Sequence, residues 1–124
     1  MDAAQQDIRF RLRLYFGDDL MFGPGKADLL QGIAELGSIS AAGRRMAMSY
    51  KRAWMLVEDM NAAFKAPLVE SSRGGPAGGG ARLTEAGKAV LAQYRALEAI
   101  VPQAGAAQIA GIQAMLKQDM SGGK

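Results

Sequence analysis

Residues 38–64 read SISAAGRRMAMSYKRAWMLVEDMNAAF, and their spacing decides the fold. Ile39, Ala42 and Met46 recur at i, i+3 and i+7, and Ala53, Val57, Met60 and Phe64 at i, i+4, i+7 and i+11. Each spacing lays an apolar stripe along one side of a helix. Ser38 and Ser49 stand just ahead of the two stripes, where a hydroxyl can accept from a free backbone N–H. A break at Ala47-Met48 separates the stripes. The pattern predicts two short helices, a tight turn, and bases clustered around that turn: a helix-turn-helix.

Charge points the same way. The chain has 124 residues and a net charge of +3, and that excess is local. Residues 36–84 hold seven bases (Arg44, Arg45, Lys51, Arg52, Lys65, Arg73, Arg82) against three acids (Glu58, Asp59, Glu70). The rest of the chain holds eight bases and nine acids. Between Glu35 and Glu58 there is no acid. Such a field attracts polyanions, although a solvated basic face is the simpler reading of the charges alone. On the second helix, Lys51, Arg52 and Met55 project away from the stripe, and Glu58 and Asp59 follow one turn later. Phosphates would repel those acids, so only the N-terminal end of this helix should enter a groove of DNA. Tyr50 borders the stripe, and Trp54 is expected to pack between the two helices rather than act as a wedge.

Outward from this unit, Ile8, Phe10, Leu12, Leu14 and Phe16 alternate with Arg9, Arg11, Arg13 and Tyr15. That alternation predicts a half-buried N-terminal strand. Its arginines could touch phosphate, but outward arginine also protects a sheet edge, and the second role is preferred. Gly17-Asp18-Asp19 ends the strand, and Gly23-Pro24-Gly25 opens a helix near Lys26 with an apolar face of Leu29, Leu30, Ile33 and Leu36. Gly37 fits its C-terminal cap. Gly23-Pro24-Gly25-Lys26 is no phosphate-binding loop, because Leu20 and Ala27 replace the glycine and the hydroxyl residue that motif requires.

Beyond Phe64, residues 68–72 and 81–84 read as two strands around a glycine-rich tip at 73–80. Two strands with an oversized loop after a helix-turn-helix form a wing, with Arg73 and Arg82 at its base; a linker without contacts is the alternative. Thr84 caps a further helix with Glu85 in its first turn. Its stripe of Val90, Leu91, Tyr94, Leu97 and Val101 is expected to stop at Pro102, and Ile109, Ile112, Met115 and Leu116 mark a second helical run. This tail has little in a monomer to cover it, which predicts a two-fold homodimer, with packing onto the N-terminal strand as the rival. The expected architecture is mainly α with a small β component: a winged helix-turn-helix over residues 1–100, with an N-terminal strand, and a dimerising helical extension over 101–124.

The chain has no cysteine and no histidine. Disulfides, thiolate chemistry and the common zinc sites are therefore excluded, and a reducing cytoplasm is expected. No apolar run approaches a membrane span, and the N-terminus lacks the pattern of a signal peptide. No carboxylate pair or Ser-Lys couple stands at a catalytic spacing, so neither an enzyme nor a cofactor is expected.

Gly37-Ser38-Ile39-Ser40, Ser49-Tyr50-Lys51-Arg52-Ala53-Trp54, Glu58-Asp59-Met60-Asn61, and the glycine tip leading into Leu83-Thr84-Glu85-Ala86-Gly87 together resemble the DNA-binding domain of ModE-type, molybdate-responsive regulators. Gly37-Ser38-Ile39-Ser40-Ala41-Ala42 is more loosely similar to the LysR-type helix-turn-helix. The resemblance implies a winged-helix transcription factor that binds double-stranded DNA, an inverted-repeat operator, as a homodimer. By matching position, Ser49, Tyr50, Lys51 and Arg52 would lie at the DNA face, with wing contacts near Arg73, and Ser40 is expected among the DNA-binding residues. Lys51 and Arg52 would approach base edges, and Arg44, Arg45, Arg73 and Arg82 would neutralise phosphates. ModE-type regulators also carry oxyanion-binding domains, and this chain stops at Lys124. It is expected to be a stand-alone DNA-binding half, linked to molybdate homeostasis without binding molybdate itself, and its small-molecule effector is not specified. Ala47 stands where such motifs place a glycine of positive φ. Keeping that geometry costs alanine about 1 kcal/mol, and a slightly altered turn would avoid it. A winged-helix module that binds a protein instead of DNA is the alternative function.

Overall fold

The computed structural model describes residues 8–72 and 80–117. Among them are five helices and two antiparallel two-stranded sheets. In chain order these are β1 (Leu14–Phe16), β2 (Leu20–Phe22), α1 (Pro24–Leu36), α2 (Ile39–Arg45), α3 (Tyr50–Ala63), β3 (Val69–Ser72), β4 (Gly80–Leu83), α4 (Glu85–Ala104) and α5 (Ala106–Ala114). The chain divides into two compact units, Leu12–Tyr94 and the pair of segments Met1–Arg11 and Arg95–Lys124.

In the unit Leu12–Tyr94, most of the periodic residues named above form the core; Leu36, in the last turn of α1, and Phe16, on a strand with one partner only, are instead exposed. Leu29, Leu30, Ile33, Val57, Met60 and Leu68 are its largest fully buried side chains. Ile39, Ala42 and Ala53 are also buried, while Met46 and Phe64 pack at its margin. Phe22 and Tyr94 meet edge to face at 5.2 Å, and the buried Tyr94 hydroxyl donates to the Leu12 carbonyl at 2.6 Å. Pro24 occupies the first turn of α1, where a missing N–H is harmless, and Gly37 caps the other end at φ 71°.

The N-terminal strand is shorter than the alternation suggests. Only Leu14–Phe16 is strand, paired with a second strand that the sequence did not announce, in the register Leu14↔Phe22, Tyr15↔Met21 and Phe16↔Leu20. The reason lies across the ladder. Pro24 begins a helix, so the partner strand ends at Phe22 and residues before Leu14 have no strand left to pair with. The wing strands occur as expected, with Val69↔Leu83, Glu70↔Arg82, Ser71↔Ala81 and Ser72↔Gly80 in antiparallel register. The tip between them, with Arg73, lies outside the described residues.

In the second unit, α4 runs through Pro102 to Ala104 instead of stopping before it. Proline there removes one bond, to the Glu98 carbonyl, close to where the helix ends in any case. Gly105 separates it from α5, and no residue of α5 is buried. Ile100, Ile112, Met115 and Leu116 are all at least half exposed.

Candidate nucleic-acid interface

The first turn of α3 is built by Ser49. Its Oγ accepts from the Arg52 N–H at 3.1 Å, satisfying one of the donors that every helix start leaves free. Ser38 does the same for α2, accepting from the Ala41 N–H at 3.0 Å. Between the two helices, the Ala47 N–H donates to the Arg44 carbonyl at 3.0 Å and the Met48 N–H to the Gly43 carbonyl at 2.9 Å. These two bonds form a Schellman motif, which demands a left-handed residue at Ala47. Its φ is 58°, so the turn keeps the glycine-like geometry in spite of the alanine, and no altered turn is adopted. α2 and α3 also meet closely. A Cβ on Gly43 would stand 2.9 Å from that of Ala53.

The anticipated site residues fall into three electrostatic settings. Lys51 and Arg52 are exposed on the first turn of α3, and neither side chain has a hydrogen bond or ion pair among the described residues. Arg44 is held by a neutral group, its Nη1 donating to Ser40 Oγ at 3.2 Å. Arg45 and Arg82 are paired with carboxylates. Arg45 meets Glu35 of α1 at 2.9 Å, and Arg82 meets Glu70 across the wing strands at 3.1 Å. Charge counting along the chain treats all five alike; the fold does not.

Tyr50 is 57% exposed and stacks on Trp54 with ring centroids 6.4 Å apart. Trp54 therefore packs along its own helix and partly against the core, rather than only between α2 and α3. Both aromatics line a groove of about 410 Å³ together with Ser38, Ser40, Ser71, Ser72 and Gly80. The groove brings the starts of α2 and α3 to the base of the wing, and the described residues that line it include no acid. Ser71 and Ser72 were not singled out in the sequence. Their one signal was position, at the end of a strand beside the glycine tip.

Two further contacts fix the wing to this unit. The Gly37 carbonyl, at the end of α1, accepts from the Ala81 N–H at 3.0 Å. Asn61 of α3 accepts from the backbone N–H groups of Leu68 and Val69 at 2.8 and 3.1 Å. The wing base is thus held by the end of α1 and by α3, the helix that carries Lys51 and Arg52.

Comparison with known proteins agrees with this architecture. The chain is 49% identical over 77 residues to the molybdenum-pterin-binding protein MopB of Rhodobacter capsulatus, covering 62% of this chain and 28% of that one. It is 37% identical over 100 residues to the transcriptional regulator ModE of Yersinia pestis, covering 81% of this chain and 37% of that one. The chain thus spans roughly a third of the length of these relatives. Among solved structures, the CbnR_DBD–DNA complex superposes with a TM-score of 0.56 at 24% identity, covering 71% of this chain and 95% of that one, which identifies the fold as a winged helix-turn-helix. The likeness to ModE-type regulators read from the sequence holds. Residues 26–88, from the first turn of α1 through the wing into α4, match the model for bacterial regulatory helix-turn-helix proteins of the lysR family, and the chain belongs to that family.

Proposed function

We propose that this chain is a dimeric, sequence-specific DNA-binding transcriptional regulator of the ModE-like winged-helix type. The observation that carries the reading is the exposed, Ser49-capped first turn of α3, where Lys51 and Arg52 stand without partners among the described residues. That turn enters the major groove, and Lys51 and Arg52 meet base edges there. Ser49 and Tyr50 hydrogen-bond nearby phosphate, and Ser40, Arg44 and Arg45 track the backbone beside it. The wing, with Arg73 and Arg82, lies on the backbone or minor groove. Residues 1–100 form the DNA-binding domain, and residues 101–124 extend it as a dimerising segment. The exposed Ile100, Ile112, Met115 and Leu116 support that assignment, since a second copy would cover them. The protein acts in the cytoplasm, and no helix among the described residues is long and apolar enough to cross a membrane. A link to molybdate homeostasis is supported by the name of the MopB relative, and no oxyanion contact is assigned to this chain.

Selection of bound DNA from random duplexes tests the reading. The expected product is an inverted repeat with half-sites about one helical turn apart. A pool without enrichment would overturn it. The same exposed apolar residues favour a second reading, a winged-helix module that docks on a protein. Salt separates the two, because each neutralised phosphate adds about −0.9 to the slope of log K against log salt, whereas an apolar interface responds little.

A further inference from the structure

Glu70 and Arg82 are directly opposed on β3 and β4. The guanidinium is doubly bonded to one carboxylate oxygen, its Nε and Nη2 donating to Oε1 at 3.2 and 3.1 Å. Both side chains are solvent-accessible, 79% for Arg82 and 52% for Glu70. They border a depression of about 350 Å³ with Gly37, Ser71, Ser72 and Gly80, and Ser71, Ser72 and Gly80 also line the groove beneath Tyr50. The one described cation at the wing base thus stands next in the strand to a residue that lines that groove, Ala81, and is paired with a carboxylate.

We propose that Glu70 is an electrostatic offset for Arg82, which lets the wing base meet the phosphate backbone without adding to the salt-dependent part of the affinity. The inference rests on the DNA-binding reading above. A free cation that meets a phosphate releases the counterion condensed there, and that release is what high salt opposes. For Arg82 the release is undone. If the guanidinium turns to a phosphate, the Glu70 carboxylate is left to collect a cation from solution. If it stays on Glu70, the phosphate keeps its own counterion. Net ion release is near zero in both cases. The pair does not block the contact, because an ion pair this exposed to water is weak and easily exchanged. Its effect is to withhold attraction that would act on every sequence alike, leaving Lys51 and Arg52 with a larger share of the binding energy.

The test is duplex binding between about 50 and 200 mM salt by wild type, Glu70→Gln, Arg82→Ala and the double variant. Glu70→Gln keeps the length of the side chain and an acceptor for Arg82, and removes only the charge. It should steepen the slope by about 0.9 per bound protomer, so that it loses about 3.5-fold more affinity than wild type over that range. Arg82→Ala alone should leave the wild-type slope unchanged, and the double variant should return to it. An unchanged slope in Glu70→Gln, or a slope flattened by about 0.9 in Arg82→Ala alone, overturns the proposal while the DNA-binding reading stands. A wild-type chain that binds no duplex at any salt overturns both.

Discussion

Asn61 and Val69 are joined by a reciprocal pair of hydrogen bonds. The Asn61 Nδ2 donates to the Val69 carbonyl at 3.1 Å, and its Oδ1 accepts from the Val69 N–H at 3.1 Å. Oδ1 also accepts from the Leu68 N–H at 2.8 Å, so one side chain of α3 satisfies the backbone where the wing begins. Leu68 and Val69 are buried, and their polar groups have little access to water. Leaving such groups unmatched costs about 1–3 kcal/mol each. Asn61→Ala should therefore destabilise the chain by about 2–4 kcal/mol, read as a lower urea midpoint. Asn61→Asp, which keeps the acceptor and loses the donor, should fall between. Equal midpoints for wild type and Asn61→Ala would show that the wing is not anchored here.

Gly87 lies against the Leu68 carbonyl in the first turn of α4, and a Cβ added to it would stand 2.1 Å from that oxygen. The carbonyl cannot easily retreat, since it accepts from the Thr84 N–H at 2.9 Å and the Leu68 N–H is held by Asn61. Gly87→Ala is expected to destabilise by more than about 3 kcal/mol, beyond ordinary overpacking, because rigid backbone is struck rather than a flexible side chain. Thermal melting is the direct check, and a variant that melts with wild type would refute the contact.

Ala47 holds a left-handed backbone at φ 58°. Glycine adopts that conformation without the Cβ penalty, so Ala47→Gly should raise stability by about 1 kcal/mol. The side chain is exposed, and no packing is lost in exchange. Denaturant titration that shows a loss of stability would contradict this account of the turn.

Lys51 and Arg52 support nothing else among the described residues, so their removal should separate binding from folding. Each change to alanine is expected to leave stability within about 0.5 kcal/mol of wild type. Loss of a base contact should cost about 1–3 kcal/mol in affinity for the selected site and relax preference at one base pair. Loss of a phosphate contact would weaken all sequences equally. Affinities on the selected site and on single-base variants of it distinguish these outcomes. Unchanged affinity after both replacements would remove α3 from the interface.

The parts of this fold that could be read along the chain are those set by local chemistry. Ser38, Ser49 and Thr84 each cap a helix as their positions imply, because a cap involves a hydroxyl and an N–H only three residues away. The apolar stripes of α1 and α3, apart from Leu36 at the end of α1, became the core for a similar reason, since a helix turns its periodic side chains to one side whatever it packs against. Gly37 likewise ends α1 in the left-handed conformation that its place suggests.

Relations between distant segments could not be read this way. The extent of β1 depended on where its partner stopped, and that was decided by Pro24 starting a helix on the other side of the turn. The charges of Arg45 and Arg82 were visible, but their neutralisation by Glu35 and Glu70 was not. Coulomb attraction acts through space, and only the packing of α2 on α1 and the register of β3 with β4 brings those groups within 4 Å. For the same reason the sequence distinguished a basic stretch from a neutral one, while folding set Lys51 and Arg52, unpaired among the described residues, apart from Arg45 and Arg82, already matched.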